Sequence, residues 1–286
     1  IKVEHYKEAF LKGMEEQKKE IDAIVNQRSV PDFDNTIAAF DQSGELLNKV
    51  STVFSGLNSC NTNDEMQAFN KEITPLLSAH RDDISLNPAL FARVKEVYER
   101  REKLGLDKEQ NKLLEETYKK FVRGGANLDS VDQAKLRQLN SEISMLQLTF
   151  GQNLLKETNA FELVIDKKED LAGLPESLVA SAAEAAKGAG MEEKWLFTLH
   201  NPSVMPFLQY ADNRELREKI FKGYINRGNN GNEADNNEIV KKLVALRLEK
   251  AKLMGYADYA SYILEDRMAK NEDCLLYTSD AADEED

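Results

Sequence analysis

The sequence predicts a mainly α, multi-helix protein with one small antiparallel β ribbon near residues 160–200. Three observations carry that reading. Apolar residues recur at spacings of three and four along most of the 286 positions, which places them on one helix face. Glycine and proline are scarce, 14 and 6 residues, so few segments are barred from helix and low-complexity linkers are not expected. The period changes at Phe161-Glu162-Leu163-Val164-Ile165, which alternates like a strand, and Trp195–Leu199 is a second short strand candidate able to pair with it.

The elements follow in order. Residues 2–27 carry Val3, Tyr6, Phe10, Met14, Ile21 and Val25 on one face, and Ser29-Val30-Pro31-Asp32 breaks the pattern. Asp34 or Asn35 can cap the next helix, with Ile37, Phe40, Leu47 and Phe54 on its apolar side. Asn63 or Asp64 starts another that runs toward Ile84, and Pro75 inside it predicts a kink or break. Asn87-Pro88 opens a helix through Leu104, stopped at Gly105. Asp107 caps the next, which ends at Gly124-Gly125. From Asp129, Leu136, Leu139, Ile143, Leu146, Phe150 and Leu154 form one apolar seam, too short for a free-standing coiled coil. After the first strand candidate, Gly173-Leu174-Pro175 introduces an alanine-rich helix ending near Gly188-Ala189-Gly190. Beyond Asn201-Pro202, helices are predicted at about 203–210, 212–227, 233–254 and 256–269.

Composition narrows the function. A net charge of −13 argues against nucleic acid as a partner. Part of the surplus sits in Asp280, Asp283, Glu284, Glu285 and Asp286, where no base offsets it. No apolar run reaches the roughly 20 residues that span a bilayer, so no membrane span is expected. No charged-then-apolar leader opens the chain, which starts at Ile1, and cytoplasm and periplasm both stay open. Cys60 and Cys274 alone cannot build a disulfide framework or a thiolate zinc cluster, and Cys60 is expected as a small buried apolar residue.

Motifs that would carry chemistry are missing. His5, His80 and His200 are far apart, and the chain contains neither His-Glu-x-x-His nor Glu-x-x-His, the helical spacings that converge ligands on a metal. Each histidine reads as a surface or hydrogen-bonded residue. Gly188-Ala189-Gly190 follows a helix and has Glu193 where a dinucleotide fingerprint needs glycine, so it reads as a helix terminator. Asn226-Arg227-Gly228-Asn229-Asn230-Gly231 has the look of a calcium loop, but lacks Asp first and has Asn237 twelfth. It reads as a polar loop with caps. Neither a Gly-x-Ser-x-Gly elbow nor a phosphate-cradling Gly-Lys-Ser/Thr is present.

Tyr210-Ala211-Asp212-Asn213-Arg214-Glu215-Leu216-Arg217-Glu218-Lys219-Ile220 is a more specific signal. It is followed by Leu246-Arg247-Leu248-Glu249-Lys250-Ala251-Lys252-Leu253-Met254-Gly255-Tyr256 and by Arg267-Met268-Ala269. This resembles the central region of the thimet-oligopeptidase-like zinc metallopeptidases, in the branch of bacterial peptidyl-dipeptidases (dipeptidyl carboxypeptidases) and oligopeptidase A. Phe33-Asp34-Asn35-Thr36-Ile37, Arg123-Gly124-Gly125-Ala126, Phe150-Gly151-Gln152-Asn153-Leu154 and Leu171-Ala172-Gly173-Leu174-Pro175 agree, so the resemblance covers roughly residues 1–273. It implies the N-terminal portion of a clam-like, channelled peptidase. In that family zinc is held by two histidines of a His-Glu-x-x-His helix and a downstream glutamate, and the motif glutamate activates the metal-bound water. Substrates are short peptides.

That zinc motif lies in the C-terminal half of such proteins. The resemblance therefore implies a missing catalytic half, zinc in the parent enzyme and none in this chain, and no catalytic, cofactor-binding or metal residue among these positions. The expected product of the parent is a C-terminal dipeptide or an internal cut in a short peptide, since the residues that would separate the two are expected in the missing half. A self-contained helical binding or scaffold module is the competing expectation. A truncated wall is also expected to leave an apolar face uncovered. The predicted organisation is a helical region 1–159, a strand-containing and helical region 160–273, and a tail 274–286. The tail, from Cys274-Leu275-Leu276-Tyr277-Thr278-Ser279 onward, resembles one reading frame of a transposon-end adapter used in DNA sequencing libraries, and is expected to be non-native.

Overall fold

The computed structural model describes residues 2–283. Ile1 and the last residues of the tail, 284–286, lie outside the described residues. The fold is mainly α-helical with one two-stranded antiparallel sheet. It divides into two compact units, Ile1–Met145 with Val244–Asp286, and Leu146–Leu243. No described helix is long and apolar enough to cross a membrane.

The first unit opens with α1 (Val3–Val25), whose buried residues Tyr6, Phe10, Met14, Ile21 and Ile24 follow the predicted stripe. A π-helical turn, Phe33–Ala38, leads into the short α2 (Ala39–Gln42) and then α3 (Glu45–Cys60). The cap of that turn is Asp32, not Asp34 or Asn35: Asp32 Oδ1 accepts the N–H of Asn35, and Asn35 Oδ1 accepts the N–H of Asp32. Arg93 decides between the candidates, because it donates to Asn35 Oδ1 at 2.9 Å and fixes that side chain as the returning half of the capping box. Gly13 lets α1 and α3 approach closely; a Cβ there would sit 2.9 Å from Leu47 Cα.

Next come α4 (Asp64–Ser85), α5 (Pro88–Glu99) and α6 (Lys108–Arg123), capped by Asn63, Asn87 and Asp107 as the sequence predicts. Pro75 does not end α4. It removes one donor, but Ile73 and Ser78 are buried on either side of it and hold the helix in register. Helix α5 stops at Glu99 rather than Leu104, and a tight turn, Arg101–Lys103, finishes the segment. Two cores fill this unit. In one, Phe54 meets Tyr6, Phe10 and Phe69 edge-on, with ring centroids 5.2, 5.7 and 5.3 Å away. In the other, Ile21, Ile24 and Ile37 pack with Leu90, Val94, Val97, Leu114 and Phe121. Cys60 is exposed rather than buried, because it falls at the last residue of α3, beyond the face that packs on α1.

Helix α7 (Ser130–Ala160) starts after Asp129, whose Oδ1 accepts the N–H groups of Val131 and Asp132. Leu136 and Leu139 of its seam are buried, whereas Ile143, Leu146, Phe150 and Leu154 are half-buried. In the second unit β1 (Leu163–Ile165) leads to α8 (Glu176–Gly188), then β2 (Trp195–Phe197), α9 (Asn201–Tyr210) and α10 (Arg214–Ile225). The strands pair Leu163 with Phe197 and Ile165 with Trp195. Leu163, Ile165, Phe197, Leu199, Val204, Phe207 and Ile220 form the core of this unit.

Helix α11 (Asn237–Leu253) begins later than predicted, because residues 228–236 form a hydrogen-bonded loop. Helix α12 is also shorter than predicted: Asp258 caps it, and it spans only Tyr259–Leu264. The tail forms α13 (Glu272–Asp283). On α11, Val240, Val244 and Leu248 stand partly exposed at four-residue intervals, along one face of the helix.

Candidate functional site

The densest polar arrangement is built around Glu157, on α7. It stands three residues after Leu154, where the apolar seam would continue, and it is buried. A buried carboxylate costs several kcal/mol unless its lone pairs are met. Here they are met by the loop after α10. Oε2 accepts the backbone N–H of Gly228 and, at 2.9 Å, the side-chain amide of Asn230; Oε1 accepts Asn232 at 2.7 Å. Burial pushes the Glu157 carboxyl up, but the three donors together outweigh it and hold the group below its ordinary value. It is ionised at neutral pH with both oxygens engaged. That makes it an anchor for the loop, not a proton donor or nucleophile.

The rest of the loop closes on the same helix. Asn236 donates its backbone N–H to Gly228 O at 2.7 Å and its side-chain amide to Phe150 O at 3.2 Å. Asn153 donates to Asn236 Oδ1 at 2.9 Å, so Phe150-Gly151-Gln152-Asn153 is the segment that receives the loop. Arg227 lies 3.9 Å over the Tyr224 ring and donates to Thr158 Oγ1 at 2.9 Å. A cleft of about 400 Å³ opens here, lined by Glu157, Phe161, Lys222, Arg227 and Asn230 among others. The calcium-like pattern is inverted. Asn230 and Asn232 turn their NH₂ groups toward a carboxylate, whereas a cation needs converging oxygens.

The other sequence signatures also serve structure. Asp212 N–H donates to Ala172 O at 2.9 Å, and Asn213, which caps α10, donates to Asp170 Oδ1 at 2.8 Å. Together they bind Leu171-Ala172-Gly173 to the start of α10. In the first unit Arg93 donates to Gln27 O, Ser29 O, Asn35 Oδ1 and Thr36 Oγ1, which ties α5 to the turn before α2. Arg123, at the end of α6, pairs with Glu265, donates to Tyr262 O at 2.5 Å and lies 4.7 Å over the Tyr262 ring. The buried Asp82 accepts Asn140 at 2.8 Å, and Asn140 in turn accepts Lys250 at 2.7 Å. Burial raises the Asp82 pKa and lowers that of Lys250.

The histidines do not converge. His5 Nδ1 accepts the backbone N–H of Lys2; His200 lies between Thr198 Oγ1 and Asn159 Oδ1; His80 Nε2 faces Gln17 Oε1 at 2.8 Å. Among the described residues no group of three or more His, Cys, Asp or Glu side chains is placed to hold a metal ion. These side chains do not fit a zinc ion, and no hydrolytic step is assigned to them. Sequence patterning missed Glu157. Its one local signal was an acidic residue at a seam position, since its partners lie more than 70 residues away.

Known proteins match this chain along most of its length. The model of Peptidase family M3 matches residues 207–284, a span that runs into the tail segment 274–284. The chain is 40% identical over 272 residues to Dipeptidyl carboxypeptidase of Escherichia coli (strain K12), covering 95% of this chain and 40% of that protein. It is 40% identical over 276 residues to Dipeptidyl carboxypeptidase of Salmonella typhimurium, covering 96% and 41%. To Oligopeptidase A of Haemophilus influenzae it is 29% identical over 282 residues, covering 96% and 41%. The chain thus spans about two fifths of the length of the curated relatives it matches.

Proposed function

We propose, for a chain that belongs to peptidase family M3, that it is the N-terminal, non-catalytic portion of a zinc metallopeptidase whose substrates are short peptides. The parent releases dipeptides from peptide C-termini. The observation that carries this reading is the 40% identity to a dipeptidyl carboxypeptidase over 95% of the chain, against 29% to an oligopeptidase A at similar coverage. In this reading the chain's own residues supply scaffold. Glu157 and its amide donors fix one loop, Arg93 and Arg123 fix the helix ends of the first unit, and zinc is held by residues outside this chain. The partly exposed row Val240, Val244 and Leu248 supports the same reading, because an apolar row on one helix is the kind of face that further polypeptide covers.

Two measurements test the proposal. The purified 286-residue chain, given zinc and an N-blocked tetrapeptide, is expected to show no hydrolysis above zinc alone; chelator-sensitive cleavage would refute the scaffold assignment. The continuous gene, expressed through the region beyond residue 273, is expected to release an intact C-terminal dipeptide from the same substrate. Cleavage at internal bonds only would remove the dipeptidase reading and leave an oligopeptidase.

A further inference from the structure

Asn230-Gly231 is the one Asn-Gly pair in the chain. Such a pair can close on itself, because glycine puts no side chain between its own nitrogen and the preceding side-chain amide. Local structure decides where that chemistry is open. The two Asn-Ser pairs, Asn58-Ser59 and Asn140-Ser141, lie inside α3 and α7, where the helix ladder holds the backbone. Asn230-Gly231 lies in the loop between α10 and α11, and both residues are exposed. Gly231 has a φ of +63° and open space beside it.

Three hydrogen bonds set the reacting groups. Asn230 donates its side-chain NH₂ to Glu157 Oε2 at 2.9 Å and to Asn226 O at 3.0 Å. A carboxylate and a carbonyl only accept, so the amide nitrogen is the atom that faces them. The Gly231 N–H donates to Asp235 Oδ2 at 2.9 Å. That bond lies along the peptide plane, whereas attack uses the nitrogen's electrons perpendicular to the plane, so the two are compatible.

We infer that Asn230 is a site of spontaneous deamidation, with Asp235 as the base, and that conversion releases the loop from α7. The Gly231 nitrogen attacks Asn230 Cγ as its proton moves to Asp235 Oδ2. The N–Cγ bond forms, a succinimide ring closes, and the Cγ–Nδ2 bond breaks. Ammonia leaves toward Glu157 and Asn226 O, carrying the proton that Asp235 returns. Water then opens the ring at either carbonyl, giving aspartate or isoaspartate. Overall one water is consumed and one ammonia is released. The new carboxylate stands where a donor stood, against the ionised Glu157 and the Asn226 carbonyl. Two carboxylates at hydrogen-bond distance repel. The cations that line this cleft are already engaged: Lys222 pairs with Glu218, and Arg227 is held by Thr158 and the Tyr224 ring. Gly228 and Asn232 are then left to hold Glu157 against that repulsion. This inference is independent of the peptidase reading.

The test is incubation of the folded 286-residue chain from neutral to mildly alkaline pH, followed by peptide mass spectrometry. The mass shift of an NH₂-to-OH exchange is expected at Asn230 at least about tenfold faster than at Asn58 or Asn140, with aspartate and isoaspartate both formed. Near neutral pH the native rate is expected to change little with pH, because Asp235 is already ionised. In Asp235→Asn conversion is expected to be slower and to rise in proportion to hydroxide. Asn230→Asp, which writes one product into the chain, is expected to speed hydrogen exchange over residues 226–237 at least about tenfold and to leave α1 and α4 unchanged. Asn230→Ala, which removes the donor without adding charge, is expected to have the smaller effect. Equal conversion at the three asparagines, no conversion at Asn230, an Asp235→Asn rate at or above the native one, or native-like exchange in Asn230→Asp would overturn the inference.

Discussion

Asn232 donates its side-chain amide to Glu157 Oε1 at 2.7 Å, joining residues 75 positions apart in sequence. The bond is one of three that converge on that carboxylate and tie the asparagine-rich loop to α7.

Replacing that carboxylate with an amide reverses one end of the arrangement. Glu157→Gln sets an NH₂ group against donors it cannot pair with. The expected loss is about 1–3 kcal/mol. Hydrogen exchange should accelerate across residues 226–237 and leave α1 and α4 unchanged. Unchanged protection in the loop would show that it holds itself.

The same group sets an acid limit. Its folded-state pKa lies below its ordinary value, so its contribution is fully present above the unfolded-state pKa and is lost as pH falls through the folded-state value. Asp235 and Glu265 are lowered as well, so the Glu157 share is the difference between the native chain and Glu157→Gln. Melting temperatures measured from neutral pH downward should converge for the two proteins in acid. A gap that stays constant with pH would contradict this.

Phe54 meets three aromatic rings and is 4% exposed. Phe54→Ala is expected to destabilise the first unit by about 3–5 kcal/mol, seen as earlier urea unfolding. A loss below about 1 kcal/mol would mean that α1, α3 and α4 close around the gap.

Arg123 makes its contacts through a planar fork, and lysine cannot reproduce them. Because Glu265 is half-exposed, its ion pair is partly screened, and Arg123→Lys is expected to cost only about 1–2 kcal/mol. The loss should fall on α12, with faster exchange over 259–264 and little change in α5.

The row on α11 gives a test in solution. Val240→Lys with Val244→Glu should reduce concentration-dependent association, measured by sedimentation, without lowering the melting temperature. A drop in stability would mean that the row is packed after all.

The helices were legible because their signals are local. Asn63, Asn87 and Asp107 each stand at the residue the structure uses as a cap, and Leu163–Ile165 pairs with Trp195–Phe197 as the alternation suggests. What could not be read locally was decided at a distance. Three acidic or amide residues at 32–35 compete for one cap, and Arg93, about 58 positions away, settles the choice by holding Asn35. Glu157 looks like another surface charge on a helix until the loop from 228 to 232 folds over it. The uneven burial of the α7 seam is likewise invisible in a pattern that treats Leu139 and Leu154 alike.

The order in which a ribosome delivers this polypeptide matters, because the first unit is not one stretch of chain. Its opening helices emerge, then the whole of Leu146–Leu243, and only afterwards the segment bearing Glu249, Lys250 and Glu265. Lys135, Asn140 and Arg123 must wait for those partners through the synthesis of an entire intervening body. The early helices are therefore born with unmet polar groups, and the first unit is completed only after Leu146–Leu243 has been made.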